Sequence, residues 1–301
     1  MGRHRGLRRR YEIAGRNVLV TGAASGIGLD VSRRLAERGA KLALLDRDAE
    51  GVERAASEIA GAGTTEVEPF VADVTDRESI ASAIEAARTR FGGFDVVVAS
   101  AGISGRPTPA TEVGQDEFER VIAVNLLGVW RTLEPLIADV VERKGYLLPI
   151  ASLAAAVPTP TILPYGASKA GVESIGRTLR LELAHTGARA GVAYFSVIDT
   201  NMTEQAMKEP VVERSMKRAP KALSEPAPVG AAGKAIVRGI ERRARRVYVP
   251  RWVGPVVSLQ GLGGPIEWLV ARDPRLVRNL KQAQREARGE LAEPDREKAP
   301  Q

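Results

Sequence analysis

Tyr165 and Lys169 stand four residues apart in the stretch Pro164, Tyr165, Gly166, Ala167, Ser168, Lys169, Ala170, Gly171. A proline near a first turn, followed by small residues, permits a helix to open here, and that helix carries Tyr165 and Lys169 on one face. The pair is then a phenol with an ammonium beside it. A tyrosine of pKa about 10 is a poor acid or base near neutrality, but a fixed positive charge and a helix N-terminus both favour the phenolate. Each unit of lowering takes about 1.4 kcal/mol of differential stabilisation. A YxxxK spacing also arises freely by chance on solvated helices, so its surroundings decide what it means. Two polar residues bear on it. Ser152 lies thirteen positions upstream, just after an apolar run. Asn125 sits among Val121, Ile122, Val124, Leu126 and Leu127, where a buried amide must be either a bridge to neighbouring backbone or part of a site.

The elements that must position these groups follow an alternating pattern. Val18 to Val20 is a short apolar run, Thr21 to Gly28 is a glycine turn, and Leu29 to Arg38 has helical spacing closed by Gly39. Strand, glycine turn and helix together let a pyrophosphate approach free N–H groups at a helix N-terminus. Gly22, Ser25, Gly26, Ile27 and Gly28 are the candidate residues of that turn, spaced GxxxGxG. Lys41 to Leu45, Val67 to Val71, Asp95 to Ala99, Tyr146 to Ala151 and Arg189 to Val197 read as further strands, with helices over Glu50 to Ala60, Ser79 to Arg90, Glu117 to Val141 and Gly166 to His185. The predicted fold is α/β, a Rossmann-type doubly wound parallel sheet with helices on both faces. Ligands of such sheets bind outside the carboxyl ends of the strands. That edge collects Gly22, Asp46, Asp73 with Val74, and Ser100 with Ala101 and Gly102. Asp46, 24 residues after Gly22, can accept from both ribose hydroxyls of NAD and would repel a 2′-phosphate, whereas the adjacent Arg47 would welcome one. NAD is therefore expected ahead of NADP.

Composition narrows the function classes. The 301 residues include no cysteine and only His4 and His185, so disulfides, thiolate chemistry and a histidine-based metal site are not expected. Of the formal net charge of +7, five units sit in Arg3, Arg5, Arg8, Arg9 and Arg10. This basic arm, 1–14, lacks the apolar core of a secretory signal. The catalytic unit is expected over 15–250 and a C-terminal extension over 251–301. Arg242, Arg243, Arg245, Arg246 and Arg251 form a second basic cluster, read as a solvated helix end rather than a nucleic-acid surface. The expected location is cytoplasmic.

Taken together, the Thr21 to Gly28 turn, Asp73, the Ala101-Gly102 pair, Asn125, Ser152, Tyr165 with Lys169, and Thr200 resemble, in order and spacing, the short-chain dehydrogenase/reductase family. The resemblance runs from about Val18 to about Pro250. It implies that Tyr165 is the general acid/base, that Ser152 holds the substrate oxygen, and that Lys169 binds the nicotinamide ribose and, together with the positive nicotinamide ring, lowers the Tyr165 pKa. It further implies that Asn125 anchors a water in a proton relay, that Ile198 and Thr200 hold the carboxamide and pyrophosphate, and that the enzyme is a homodimer or homotetramer. The sequence departs from the family twice. Ala99, Ser100, Ala101, Gly102 replace the usual Asn-Asn-Ala-Gly, and Phe195-Ser196 stands where Pro-Gly is usual.

On the substrate side, Leu153 to Leu163 is apolar and proline-punctuated, and Met202 to Pro220 is expected to form a mobile lid offering Met202, Met207, Val211, Val212 and Met216. A hydrophobic alcohol or ketone follows as the expected substrate. The rivals are an NADPH-dependent carbonyl or ketoacyl reductase and a non-catalytic cofactor-binding regulator. Beyond Pro250, the apolar stretch Trp252 to Ala271 is broken by glycines and prolines, which disfavours a spanning helix. It is expected to pack on protein, with weak contact to a membrane surface as the alternative. Arg285 to Gln301 is charged and expected to be disordered.

Overall fold

The computed structural model of the chain describes residues 10–63, 65–217, 219–264 and 270–290. Arg3, Arg5, Arg8 and Arg9 of the basic arm, residues 265–269 and the end of the chain from 291 onward lie outside the described residues.

Six strands form one parallel sheet: β1 (Asn17–Thr21), β2 (Lys41–Asp46), β3 (Val67–Val71), β4 (Val96–Ala99), β5 (Tyr146–Pro149) and β6 (Arg189–Ala190). Their order is β3-β2-β1-β4-β5-β6, the doubly wound arrangement. Thr21 pairs with both Leu45 and Ala99, and Ala99 with Pro149, so the strands end on one edge. Alternate side chains enter two cores. Val18, Val20, Leu42, Leu44, Val96 and Val98 face α1 (Gly26–Ala36), α2 (Ala49–Gly61) and α11 (Val229–Arg242). Leu19, Ala43, Leu45, Val97 and Ala99 face the helices of the other layer. Those are α3 (Arg77–Phe91), α4 (Gln115–Ile122), α5 (Gly128–Leu133), α6 (Ile137–Glu142) and α7 (Leu163–Glu182). Burial on both faces is why these strands read as unbroken apolar runs.

Three expectations change. The sixth strand does not run from Arg189 to Val197 but breaks at Gly191 into β6 and β7 (Val192–Phe195), which pairs with β8 (Arg246–Val249). A side chain at Gly191 would collide with the Ala244 carbonyl and the Tyr146 hydroxyl, themselves hydrogen-bonded at 2.7 Å. The helix expected over Glu117 to Val141 is interrupted by a π turn at Ala123–Leu127 and by a 3-10 turn at Glu134–Leu136 carrying Pro135. By length and composition the run Gln115–Glu142 could cross a membrane, but Leu133, Leu136 and Val140 are buried in the core of this fold.

The third change is in the tail. Arg285 is not disordered: it lies in the last turn of α13 (Pro274–Ala287), N-capped by the Asp273 carboxylate on the Arg275 N–H. Earlier in the extension, α12 (Val253–Ser258) buries Val253 and Val257 in the same layer as α7. Earlier in the chain, α8 (Asn201–Met207) and α9 (Pro210–Met216) occupy the predicted lid, and α10 (Lys221–Ser224) follows it.

Candidate active site

The glycine turn is dictated by close approach. Gly22 has φ +68°, and a Cβ there would lie 2.8 Å from the Ala101 Cα, so only glycine lets the ends of β1 and β4 come this near. The N-cap residue of α1, Ser25, makes no side-chain cap. The first-turn N–H groups of the helix are thus left for an anion, in the field of the helix dipole. Asp46 lies beside them. Its Oδ2 accepts from the Ala24 N–H at 3.0 Å and its Oδ1 from the Asp48 N–H at 3.1 Å. Asp73 accepts from both the N–H and the hydroxyl of Thr75 (2.8 and 2.7 Å). Those bonds, with a smaller contribution from the Arg47 guanidinium, hold its carboxyl below the usual carboxylate range.

The missing asparagines after β4 have a substitute. The Thr21 hydroxyl accepts from the N–H groups of Ser100 (3.2 Å) and Ala101 (3.4 Å) and ties the two strand ends together. At the second departure, Ser196 N–H donates to the Val249 carbonyl at 2.9 Å. The Phe195 carbonyl accepts from the Ser152 hydroxyl. The chain then re-forms a bridge at Ile198 with Ala227, and Thr200 caps α8.

Tyr165 and Lys169 lie on the first two turns of α7, opened by Leu163 and Pro164. Tyr165 is half-buried. Burial pushes its pKa above the ordinary value of 10, and the Ser152 hydroxyl pulls the other way. Lys169 is 5% exposed, with its Nζ 2.9 Å from the Ile150 carbonyl and 5.7 Å from the centre of the Tyr165 ring. Desolvation lowers its pKa to about 8. The expected depression of Tyr165 is therefore not produced by the protein's own groups. Loss of water at the phenol outweighs the Ser152 hydrogen bond. Ser152, 8% exposed, accepts from the Ala154 N–H (3.2 Å) and donates to the Phe195 carbonyl over a long 3.3 Å.

Asn125 bridges neighbouring segments. Its side chain, fully buried on the π turn, accepts from the Ile103 N–H (2.8 Å) and donates to the Ile103 carbonyl (2.8 Å) and the Ser168 hydroxyl (3.1 Å). Ser168 in turn donates to the Tyr165 carbonyl at 2.7 Å. The amide thus fastens the segment after β4 to the first turn of α7. A π turn placing a functional side chain is a recurring use of that geometry.

Every turn and strand-end residue singled out from the sequence lines one cleft: Gly22, Ser25, Gly26, Ile27, Gly28, Asp46, Arg47, Asp73, Val74, Ser100, Ala101, Gly102, Ile198 and Thr200, with Tyr165 and Lys169. Asn125 and Ser152 are not among its lining residues. Asn125 is close behind Gly102, where an added Cβ would meet its Oδ1 at 3.2 Å and the Lys169 Nζ at 3.5 Å. Sequence reading passed over Ile150, whose carbonyl holds Lys169, as well as Ile103, Ser168 and Thr21. Backbone acceptors leave no mark in a sequence. Thr21 could have been found as the hydroxyl directly following the first apolar run.

A doubly wound parallel sheet with an uncapped helix N-terminus, an acidic second-strand end and a Tyr/Lys pair at the same edge defines a dinucleotide-dependent oxidoreductase. The chain belongs to the short chain dehydrogenase family, whose sequence pattern matches residues 16–210. It is 32% identical over 201 residues to D-threitol dehydrogenase of Mycolicibacterium smegmatis, covering 66% of this chain and 76% of that one. Among solved structures it resembles the 3-ketoacyl-(acyl-carrier-protein) reductase of Brucella melitensis complexed with NADH, at 29% identity and a TM-score of 0.70, over 79% of this chain and 97% of that one. It also resembles an actinorhodin polyketide ketoreductase with NADPH, at 27% identity and a TM-score of 0.72, over 80% and 97%. The neighbours thus include both NAD(H) and NADP(H) binders, and about a fifth of this chain lies outside either match.

Proposed function

We infer that the chain interconverts a hydrophobic secondary alcohol and its ketone, with NAD(H) preferred over NADP(H). The observation that carries the reading is the placement of Tyr165, with Ser152 beside its hydroxyl and Lys169 beneath its ring, in a region where apolar side chains remain in water. Met202, which lines the cleft, is 37% exposed, and Val157 and Leu163, in the apolar stretch leading to Tyr165, are 37% and 48% exposed, so covering by an apolar ligand would be favourable.

The residues of the cleft fit a dinucleotide. The free N–H groups at the start of α1 suit a pyrophosphate, and Gly26 supplies the φ of +54° at which the turn enters the helix. Asp46 is placed to accept from ribose hydroxyls, and Lys169 to donate to the second ribose. A bound nicotinamide supplies the hydride acceptor or donor, which no side chain can. Ser152, weakly engaged with the Phe195 carbonyl, can turn its hydroxyl to the substrate oxygen. Tyr165 takes the alcohol proton at its phenolate oxygen as the carbonyl forms, or returns it in reduction. Because burial holds the phenol protonated, oxidation needs a positive charge nearby, and Lys169 supplies one while it keeps its own proton. Asn125 preserves the geometry by holding α7 against the segment after β4.

A polyol reading is favoured by the likeness to the threitol enzyme, and the same assay separates the two. NADH and NADPH fluorescence is followed with aliphatic, alicyclic and aromatic secondary alcohols and with threitol, alongside the reverse assay with ketones. Preferential turnover of apolar alcohols with NAD supports the proposal, and turnover confined to threitol replaces it. Self-association as a dimer or tetramer is part of the same proposal, supported by Leu127 and Trp130 on one helix run and Leu181 on α7, all left exposed. Light scattering on the purified chain checks it.

A further inference from the structure

The C-terminal extension reaches back to the substrate side of the site, beyond the part of the chain that the family pattern matches. α13 presents Leu276, Asn279, Leu280 and Ala283 on one side, the i, i+3, i+4, i+7 positions of a packing stripe. Asn279 and Ala283 are buried, and α13 packs against α9. The polar contacts are specific. Arg214 on α9 makes a two-pronged pair with Glu286, Nη1 to Oε1 at 2.9 Å and Nη2 to Oε2 at 2.8 Å. Its Nε donates to Asn279 Oδ1 at 2.8 Å, so one guanidinium fork is satisfied by two residues of α13. Asn279 Nδ2 donates to Ser215, again on α9, at 2.9 Å. This pair is partly shielded, the side chains being 22% and 26% exposed.

The same helix also holds a loop on the far side. Gln284 donates to the Thr111 hydroxyl at 3.0 Å, and Arg288 donates to Glu112 at 2.9 and 2.7 Å. The loop bearing Thr111 and Glu112 is tied at Thr108 to the Thr161 carbonyl (2.7 Å), two residues before the start of α7. On the opposite side, α9 follows directly on α8, whose Met202 and Thr203 line the cleft. α13 therefore spans from the lid to a loop that is hydrogen-bonded to the segment leading into Tyr165.

We propose that α13 is a strap acting within the chain, which ties the lid helix α9 to the Thr111–Glu112 loop and makes the lid a fixed wall of the substrate cleft, with Arg214 as the positioning residue. The lid presents Met202 to the cleft on a seven-residue helix, too short to hold its place by its own hydrogen bonds. Its position is set by α13 instead. The strap acts at the end of the cleft where Met202 and Thr203 stand, and substrate binding is expected to feel it first, because the α1 turn, Asp46 and Asp73, which would hold the other end of the dinucleotide, make none of their hydrogen bonds with α13. The consequence for specificity rests on the alcohol/ketone reading above, but the strap itself does not.

The test uses the full chain with Arg214→Met, Glu286→Gln, and the charge-reversed pair Arg214→Glu with Glu286→Arg. Hydrogen exchange across 201–216 is expected to quicken by about tenfold or more in both single variants and to return toward wild type in the reversed pair. Dissociation constants for NADH and NADPH are expected to stay within about twofold. With a ketone found in the fluorescence assay, KM is expected to rise by about tenfold while kcat changes little. Unchanged exchange over 201–216 in both single variants overturns the strap, as does an equal loss of cofactor affinity. Should a single variant fail to fold, Gln284→Ala with Arg288→Ala at the exposed loop end gives the same exchange readout. If wild type turns over no alcohol or ketone while the exchange result holds, the function reading fails and the strap stands.

Discussion

Lys169 offers a prediction that can be read without any substrate. Its pKa in the folded chain is lowered to about 8 by burial, from an ordinary 10.5. Between those values the unfolded chain binds more protons than the folded one, so folding stability rises with pH across that window. Below about pH 8 the full cost of keeping a buried ammonium is present; above it the folded amine is neutral and the cost declines. Integrating the two titrations from about pH 7 to about pH 9.5 gives a gain of about 2 kcal/mol attributable to Lys169. Other groups titrate over the same range, so the comparison needs Lys169→Met as a reference. Methionine has similar length and no proton to lose. The Ile150 carbonyl that Lys169 occupies at 2.9 Å loses its donor in the variant, but that penalty does not vary with pH and drops out of the slope. Urea unfolding of both proteins at several pH values is the assay. The stability difference, wild type minus variant, should climb with pH by about 2 kcal/mol over that range. A flat or falling difference would show that the ammonium is not desolvated and would refute the electrostatic account of the site.

Two further outcomes follow from the geometry. Asp46→Asn keeps an acceptor for the Ala24 N–H but removes the charge that opposes a 2′-phosphate; at about 4 Å that repulsion is about 1 to 4 kcal/mol per unit charge. The ratio of NADP(H) to NAD(H) affinity, measured by fluorescence titration, should therefore rise by at least about fivefold. Asn125→Ala strips partners from both backbone groups of Ile103 and should cost about 2 to 4 kcal/mol in thermal or urea unfolding, well above a surface alanine substitution.

The strands and the ligand edge were legible because buried parallel strands leave apolar runs such as Val96 to Val98, each followed by a turn or cap residue. The start of α7 was legible from Pro164, and the cleft from the positions immediately after the strands. What could not be read came from contacts between distant segments. The break at Gly191 depends on Tyr146 and Ala244 meeting beside it, and the interruption at Asn125 on Ile103 and Ser168 converging on its amide. The Tyr/Lys spacing was visible, but the sign of the Tyr165 shift was not, since it depends on how much water each group loses. Charge and polarity made Arg285 look like part of a disordered tail. A helix such as α13, with a narrow buried stripe and ion pairs reaching to Arg214 and Glu112, has the composition of a solvated segment until its partners are known.

The central claim is that Tyr165 moves the proton while the rest of the cleft binds the dinucleotide. The direct measurement is the turnover of Tyr165→Phe with the best alcohol or ketone from the panel, together with its NADH and NADPH dissociation constants. The account predicts a fall in kcat of at least about a hundredfold with cofactor binding within about threefold of wild type. Turnover within about tenfold of wild type, with cofactor still bound, would contradict it.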